Sequence, residues 1–248
     1  MRKEDIVQEV SFLGLPYARI VSRQVTREDA ERLKQCYQYI HIYSFTKEDL
    51  PEFTARVQKT PIFDLSEHAE GLFKKFNDTC KKHIRRADRN PDLKLVALDT
   101  DSAASYALYA RIKSQEGAYP DLKREFENCI FFNAYLKGQM IVTMSFYDNG
   151  QIIRAKHIAS VRKEKSEDAA IVAQASRRLN WEVMQWGKAH GRTIFDLGGI
   201  TDDPAKAGIR EFKNSFGGHD VETYIYRYAT PVFAVLKKTL PLIGKNIN

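Results

Sequence analysis

The sequence predicts a mixed α/β fold, with a mostly antiparallel central sheet flanked by helices. Three observations carry this expectation. Strands and amphipathic helices alternate through the second half of the chain; Asn149-Gly150 between two alternating runs is a strong hairpin signal; and a long periodic helix leads into a short apolar strand closed by Gly198-Gly199.

Along the chain, the first sixty residues mix short extended pieces with a helix expected over Arg27 to Ile40, with breaks near Pro51 and Pro61. From Ser66, whose hydroxyl can accept from first-turn amides, Ala69, Leu72, Phe73, Phe76, Cys80, Ile84 and Ala87 recur at helical spacing and predict one helix that Pro91 ends. Its polar stripe carries Lys81, Lys82, Arg85, Arg86 and Arg89. LKLVALDT reads as a strand and Ser102 to about Glu116 as a helix. Phe131 to Leu136, Met140 to Tyr147 and Ile152 to Val161 are strands, turned at Lys137-Gly138 and Asp148-Asn149-Gly150. A long helix over Asp168 to His190 buries Ile171, Ala175, Leu179, Val183 and Trp186 and stops at Gly191. TIFDLGGI is a buried strand; Asp203 caps a helix with Pro204 at its first position and Gly217-Gly218 at its end; Tyr224, Tyr226 and Tyr228 alternate along a last strand. Pro241 limits a final apolar helix. The resulting division is an N-terminal segment, 1–65, on the acceptor side of the site; a main domain, 66–230; and a C-terminal helical segment, 231–248.

At 248 residues and 43% hydrophobic content the chain can bury a sizeable core. A formal charge of +7 favours an anionic partner, while the 32 interspersed acidic residues argue against a dedicated DNA-binding role. Cys36, Cys80 and Cys129 are scattered and odd in number, so neither a disulfide framework nor a metal site is expected. No apolar run approaches the roughly 20 residues of a membrane span, and the charged opening is unlike a signal peptide; a cytoplasmic location without stable membrane insertion is the expectation.

Three segments then carry a resemblance. NDTCKKHIRRADRN resembles an IRRA-type helix, WEVMQWGKAHGRTIFDLGGI a helix-to-strand passage, and GIREFKNSFGG the FK..FGG element of the GNAT superfamily branch that contains the FemAB-like peptidoglycan-bridge transferases. Their order covers roughly Ser66 to Tyr228. The resemblance implies a GNAT-like fold and an acyltransferase that moves an acyl group from a thioester to an amine. The chain is shorter than the tandem-domain peptidoglycan enzymes and is similar in size to sugar N-acyltransferases of this branch. That similarity implies acyl-CoA as co-substrate and a nucleotide-linked, dTDP-type amino sugar as acceptor, in surface polysaccharide (O-antigen) biosynthesis, with a homodimer admissible. Aminoacyl transfer from transfer RNA to a peptidoglycan precursor is the alternative, and a non-catalytic module binding RNA or anionic membrane a third reading. The usual pyrophosphate loop of CoA-binding members is replaced here by SVRKEKSEDAA.

The resemblance places the reaction where the central strands part, between the end of the Ile152 to Val161 strand and the strand holding Asp196. Backbone amides at Ala159, Ser160 and Val161 would face the donor carbonyl, with Arg162, Lys163, Lys165 and Ser166 beside the pyrophosphate at a helix start. His157, with an intrinsic pKa near 6.5, and Asp196 are the candidate bases, with Glu116 further off. Lys206, Arg210 and Lys213 share one helical face and, with Arg85 and Arg86, are candidates for substrate phosphate.

Overall fold

The computed structural model describes residues 2–161 and 167–239, which build one ten-stranded sheet with helices packed on its two faces. The N-terminal part supplies β1 (Ile6–Phe12), β2 (Leu15–Ser22), α1 (Arg27–Cys36), β3 (Tyr39–Ser44) and β4 (Thr54–Asp64). Thr26 and Asp29 form a reciprocal cap on α1: the Thr26 hydroxyl accepts from the Asp29 amide at 3.2 Å and the Asp29 carboxylate accepts from the Thr26 amide at 3.1 Å. The helix ends at Cys36 rather than at Ile40, because Tyr39, Ile40, Ile42 and Tyr43 are aromatic and β-branched and pair as a strand.

The single helix expected from Ser66 is two, α2 (Ala69–Lys75) and α3 (Asp78–Asp88). Phe76 is extended between them, and the Asn77 side chain accepts from the Cys80 amide at 2.8 Å, starting α3 afresh. The Ser66 hydroxyl donates to Asp64 at 2.6 Å instead of capping. There follow β5 (Leu93–Ala97), α4 (Ser102–Gln115), β6 (Ile130–Leu136), β7 (Gln139–Asp148), β8 (Ile152–Ser160), α5 (Glu167–Ala189), β9 (Ile194–Asp196), α6 (Ala207–Asn214), β10 (His219–Ala229) and α7 (Pro231–Thr239), with short 3-10 turns at Lys3–Asp5, Lys123–Phe126 and Pro204–Lys206.

The strand order is β1-β2-β3-β10-β4-β9-β8-β7-β6-β5, parallel at β2–β3 and β8–β9 and antiparallel at the other pairings. Since β10 lies between β3 and β4, residues 1–65 share the sheet with the end of the chain, and the boundary at 65 separates no second sheet. α3 and α5 cover one face: Phe76 meets Phe216 edge-on at 5.3 Å and Trp181 at 5.4 Å, over buried Phe132, Phe146 and Phe195. Each such ring contributes roughly 1.5–3 kcal/mol. Gly217 is left-handed, φ +64°, and a Cβ there would sit 2.2 Å from the Lys75 carbonyl, which is the physical content of the FGG segment. On the opposite face α4 and the Lys123–Phe126 turn pack on β7 and β8 through Tyr109, Ile112, Phe126 and Phe131, while α7 places Phe233 on Tyr17 and Tyr39. Between these two covers no described residue lies over the sheet face, which borders a cleft.

Among the described residues no helix is long and apolar enough to cross a membrane, and no cluster of His, Cys, Asp and Glu could hold a metal ion.

Candidate functional site

β8 and β9 run parallel only over Ile152–Arg154 and Ile194–Asp196, and then part. β9 stops because Asp196 turns its carboxylate onto the Gly198 amide, 2.7 Å, at a glycine with φ +74°. β8 continues to Ser160 with one edge unpaired, and that edge borders a cleft of about 1190 Å³. The Val161 amide donates to the Ile141 carbonyl at 2.9 Å. By the alternation of an antiparallel ladder, Ala159 and Val161 turn their amides toward β7, and Ile158 and Ser160 turn theirs toward the cleft. Of the three backbone positions expected to face a donor carbonyl, Ser160 is therefore the one whose amide turns to the cleft, together with Ile158.

Successive strand residues point to opposite faces, yet Lys156 and His157 both reach one carboxylate. Ser145 pairs with His157 and the next residue, Phe146, pairs with Ala155, so Lys156 is the extra residue of a β-bulge. Lys156 Nζ lies 3.1 Å from Asp121 Oδ2, 3.4 Å from Glu125 Oε2 and 3.1 Å from the Tyr147 hydroxyl; His157 Nε2 lies 2.8 Å from the same Asp121 oxygen. Glu125 also takes Arg19 at 2.9 Å. Burial would raise the Asp121 pKa, but the His157 hydrogen bond and the Lys156 charge outweigh it and hold the carboxyl well below its ordinary range. Burial likewise opposes the Lys156 ammonium, and Tyr147, Asp121 and Glu125 together carry its pKa above the usual lysine value. For His157, burial dominates and pushes the pKa down to about 4 despite Asp121. An ionised Asp121 can only accept, so Nε2 carries the proton and Nδ1 keeps its lone pair. The ring is stacked against Tyr109, 4.4 Å between centroids, and Phe126, 5.6 Å, with 25% of the side chain still accessible.

Asp196 is wholly buried, and both of its oxygens are engaged: Oδ1 accepts from the Thr60 hydroxyl at 2.5 Å and from Gly198, and Oδ2 accepts from Arg154. The carboxylate holds the turn and has no free oxygen for a substrate proton, which corrects its expected role as a base. The Arg154 guanidinium lies 4.1 Å over the Tyr43 ring. Lys213 donates to the Gly198 and Gly199 carbonyls at 2.9 and 2.8 Å; burial lowers its pKa to about 8, against the pull of Asp196.

His157, Ala159, Ser160, Val161 and Lys213 thus border the cleft together, and Glu116 lies at its rim. Arg162, Lys163, Lys165 and Ser166 lie outside the described residues. Lys206 and Arg210 do not border the cleft: Lys206 sits 4.0 Å from Asp203 and Arg210 2.9 Å from Asp202. On α6 it is Ile209, Phe212 and Lys213 that border the cleft, and Lys206 lies in the 3-10 turn before the helix, off the face shared by Arg210 and Lys213. Arg85 and Arg86 border a separate basic groove with Phe73 and Trp181, formed by α2, α3 and α5. Asp121, Lys156, Arg154, Arg56 and Arg227 are the cleft residues that sequence reasoning passed over.

Among solved structures, FemX superposes with a TM-score of 0.57 over 90% of this chain and 83% of its own, at 14% identity. The C-terminal domain (DUF2156) of a putative lysylphosphatidylglycerol synthetase from Agrobacterium fabrum gives 0.55 over 89% and 79%, at 11% identity. L-PGS from Bacillus licheniformis gives 0.52 over 93% and 82%, at 12% identity. No protein-family model matches the chain, and no curated protein matches it in sequence. The likeness is one of fold: a mixed and mostly antiparallel sheet flanked by helices.

Proposed function

We propose that the chain transfers an acyl group from an activated donor to an amine, with the reaction at the parting of β8 and β9. The observation that carries this reading is the meeting of two features in one cleft: an unpaired strand edge offering the Ile158 and Ser160 amides, and a neutral His157 ring fixed by Asp121. Acylation of an amine needs donors aimed at the oxyanion and an acceptor for the proton that the nitrogen loses.

In this reading the amine nitrogen attacks the donor carbonyl carbon, and the developing oxyanion is met by the amide of Ser160, with that of Ile158 one strand repeat, about 6.6 Å, further along the same edge. The proton lost by nitrogen goes to His157 Nδ1, while Asp121 accepts from Nε2 and steadies the imidazolium. The carbon–sulfur bond of a thioester donor then breaks, and the thiolate takes the proton from Nδ1, returning His157 to its neutral form. Asp196 and Lys213 position the Gly198-Gly199 turn on the other wall.

The finer reading is acyl-CoA-dependent N-acylation of a nucleotide-linked, dTDP-type amino sugar in the cytoplasm. It is supported by the sequence segments that resemble the compact sugar acyltransferases and by the surplus of basic groups around the cleft. Likeness of fold to FemX favours a second reading, aminoacyl transfer from transfer RNA to a peptidoglycan precursor. Thiol release from a panel of acyl-CoAs, each paired with amino-sugar nucleotides, tests the first. Release dependent on the amino sugar supports it; no release with any pair, alongside product from aminoacyl-tRNA, replaces it with the second.

A further inference from the structure

We infer that the open sheet face beside the reaction centre is a subsite for a phosphate-bearing acceptor, and that Arg56 and Arg227 are the residues that hold its phosphate or diphosphate. This rests on the acyl-transfer reading for the word acceptor, but on geometry for the site.

Register fixes which side chains share this face. Tyr147 pairs with Arg154, and Ser145 with His157, so Arg154 and His157 lie on one side of the sheet. Arg154 pairs with Asp196, Asp196 with Ile62, and two and three alternations along β4 reach Gln58 and Arg56 on that same side. Arg56 pairs with Ile225, which places Arg227, two residues along β10, on the same face and diagonal to Arg56, about 7–8 Å apart. The face is therefore continuous from the reacting edge to the two arginines. α4 covers β7 and β8 on one side and α7 packs on Tyr17 and Tyr39 on the other, and Tyr43 of β3, Ile225 and Arg227 of β10, and Arg56 and Gln58 of β4 line the floor of the cleft between them.

The charges on this floor divide into two sets. Arg154 is bound to Asp196 and Arg19 to Glu125, so neither is available to a ligand. Among the described residues Arg56 hydrogen-bonds only the Gln58 amide oxygen, at 3.5 Å, and Arg227 makes no ion pair. Arg227 Nε is moreover buried without a hydrogen-bond partner, a costly state that an incoming anion relieves. Two guanidinium forks set diagonally on adjacent strands match the several oxygens of a phosphate or diphosphate group better than a single carboxylate.

Distance adds a selection rule. β8 is separated from β4 by two strand steps and from β10 by three, so at about 4.8 Å per step the arginines lie no less than roughly 10–14 Å from the reacting edge, and farther where β8 and β9 part. The acceptor therefore carries its amine about that far from its phosphate, as a sugar joined to a nucleoside diphosphate does. Short amines would leave the floor unfilled.

The test is binding of inorganic pyrophosphate and of thymidine diphosphate to the full chain by calorimetry, with Arg56→Gln and Arg227→Gln compared with Lys82→Gln, a change of equal charge on exposed α3. Circular dichroism and thermal unfolding verify that each variant is folded. Both ligands are expected to bind the native protein and the Lys82 variant alike, and to bind each arginine variant at least about tenfold more weakly. With an amino-sugar nucleotide as acceptor, the arginine variants should raise its KM far more than they lower kcat, and the dephosphorylated amino sugar should be insensitive to them. Equal affinity for pyrophosphate in native and arginine-variant proteins, or no binding to the native protein, overturns the subsite. Arginine-dependent binding without turnover by any acyl donor upholds the subsite and removes the acyl-transfer reading.

Discussion

One carboxylate oxygen, Asp121 Oδ2, is shared between an ammonium and an imidazole, and the sharing sets the state of both. The His157 hydrogen bond and the Lys156 charge keep Asp121 ionised, an ionised Asp121 fixes the His157 proton on Nε2, and burial keeps the ring neutral. Replacing His157 with Asn is expected to lower kcat roughly 100-fold or more, with little change in donor KM; near-native turnover in steady-state kinetics rejects the base role. Asp121→Asn should lower kcat as well, since an amide can present its donor to Nε2 and so move the ring proton to Nδ1. The same group shapes stability. The folded His157 pKa, about 4, lies below the unfolded value near 6.5, so between these pH values the unfolded chain binds a proton that the folded ring refuses. Stability should fall as pH drops from about 6.5 to about 4, and Asp121, depressed in the fold, adds a further loss below its ordinary value of 3.8. Urea unfolding at pH 7, 5.5 and 4.5 measures this slope, and His157→Gln should flatten the part above pH 4.

At the scale of elements, the caps and close approaches carry the remaining local predictions. Asn77→Ala removes the cap that starts α3 and should cost about 1 kcal/mol, and Phe216→Ala empties a fully buried aromatic contact and should cost about 3–5 kcal/mol, both read as shifts in the denaturation midpoint. The same scale explains what the sequence could show. Strands β6 to β8 and helix α5 were legible because period and turn chemistry agree there, at Asn149-Gly150 and Gly191 in particular. The break at Phe76 was not, since Leu72, Phe76 and Cys80 keep helical spacing across it while only Asn77 marks a new start. His157 was visible as a titratable group on a hairpin strand. Asp121 was not, lying 36 residues away in a segment without periodicity. Lys156 was hidden by alternation itself: it belongs to the opposite face until the bulge turns it back, and a bulge depends on tertiary pairing. Asp196 and Lys213 were visible as charged residues beside glycines, and only the surrounding donors and carbonyls show that they hold a turn.

For the whole molecule, the N-terminal strands and β10 interleave to make a floor, and the later hairpin makes the reacting edge. Neither part encloses the cleft alone. A phosphate-bearing acceptor that binds the floor should stabilise the entire fold cooperatively, by about 2.7 kcal/mol at a concentration 100 times its Kd, read as a single shifted melting transition. Two separate transitions with ligand would contradict a shared sheet.

β9 is the strand that stops early. It is three residues long, yet it is the hydrogen-bonded link between the five strands on one side of it and the four on the other. On the β4 side its rungs are extended by the Leu197 amide to Pro61 and the Ile200 amide to Lys59, whereas on the β8 side they end at Asp196. The shortest strand in the sheet is thus what leaves the β8 edge to the cleft: a β9 longer by about two or three residues would close that edge with its own carbonyls.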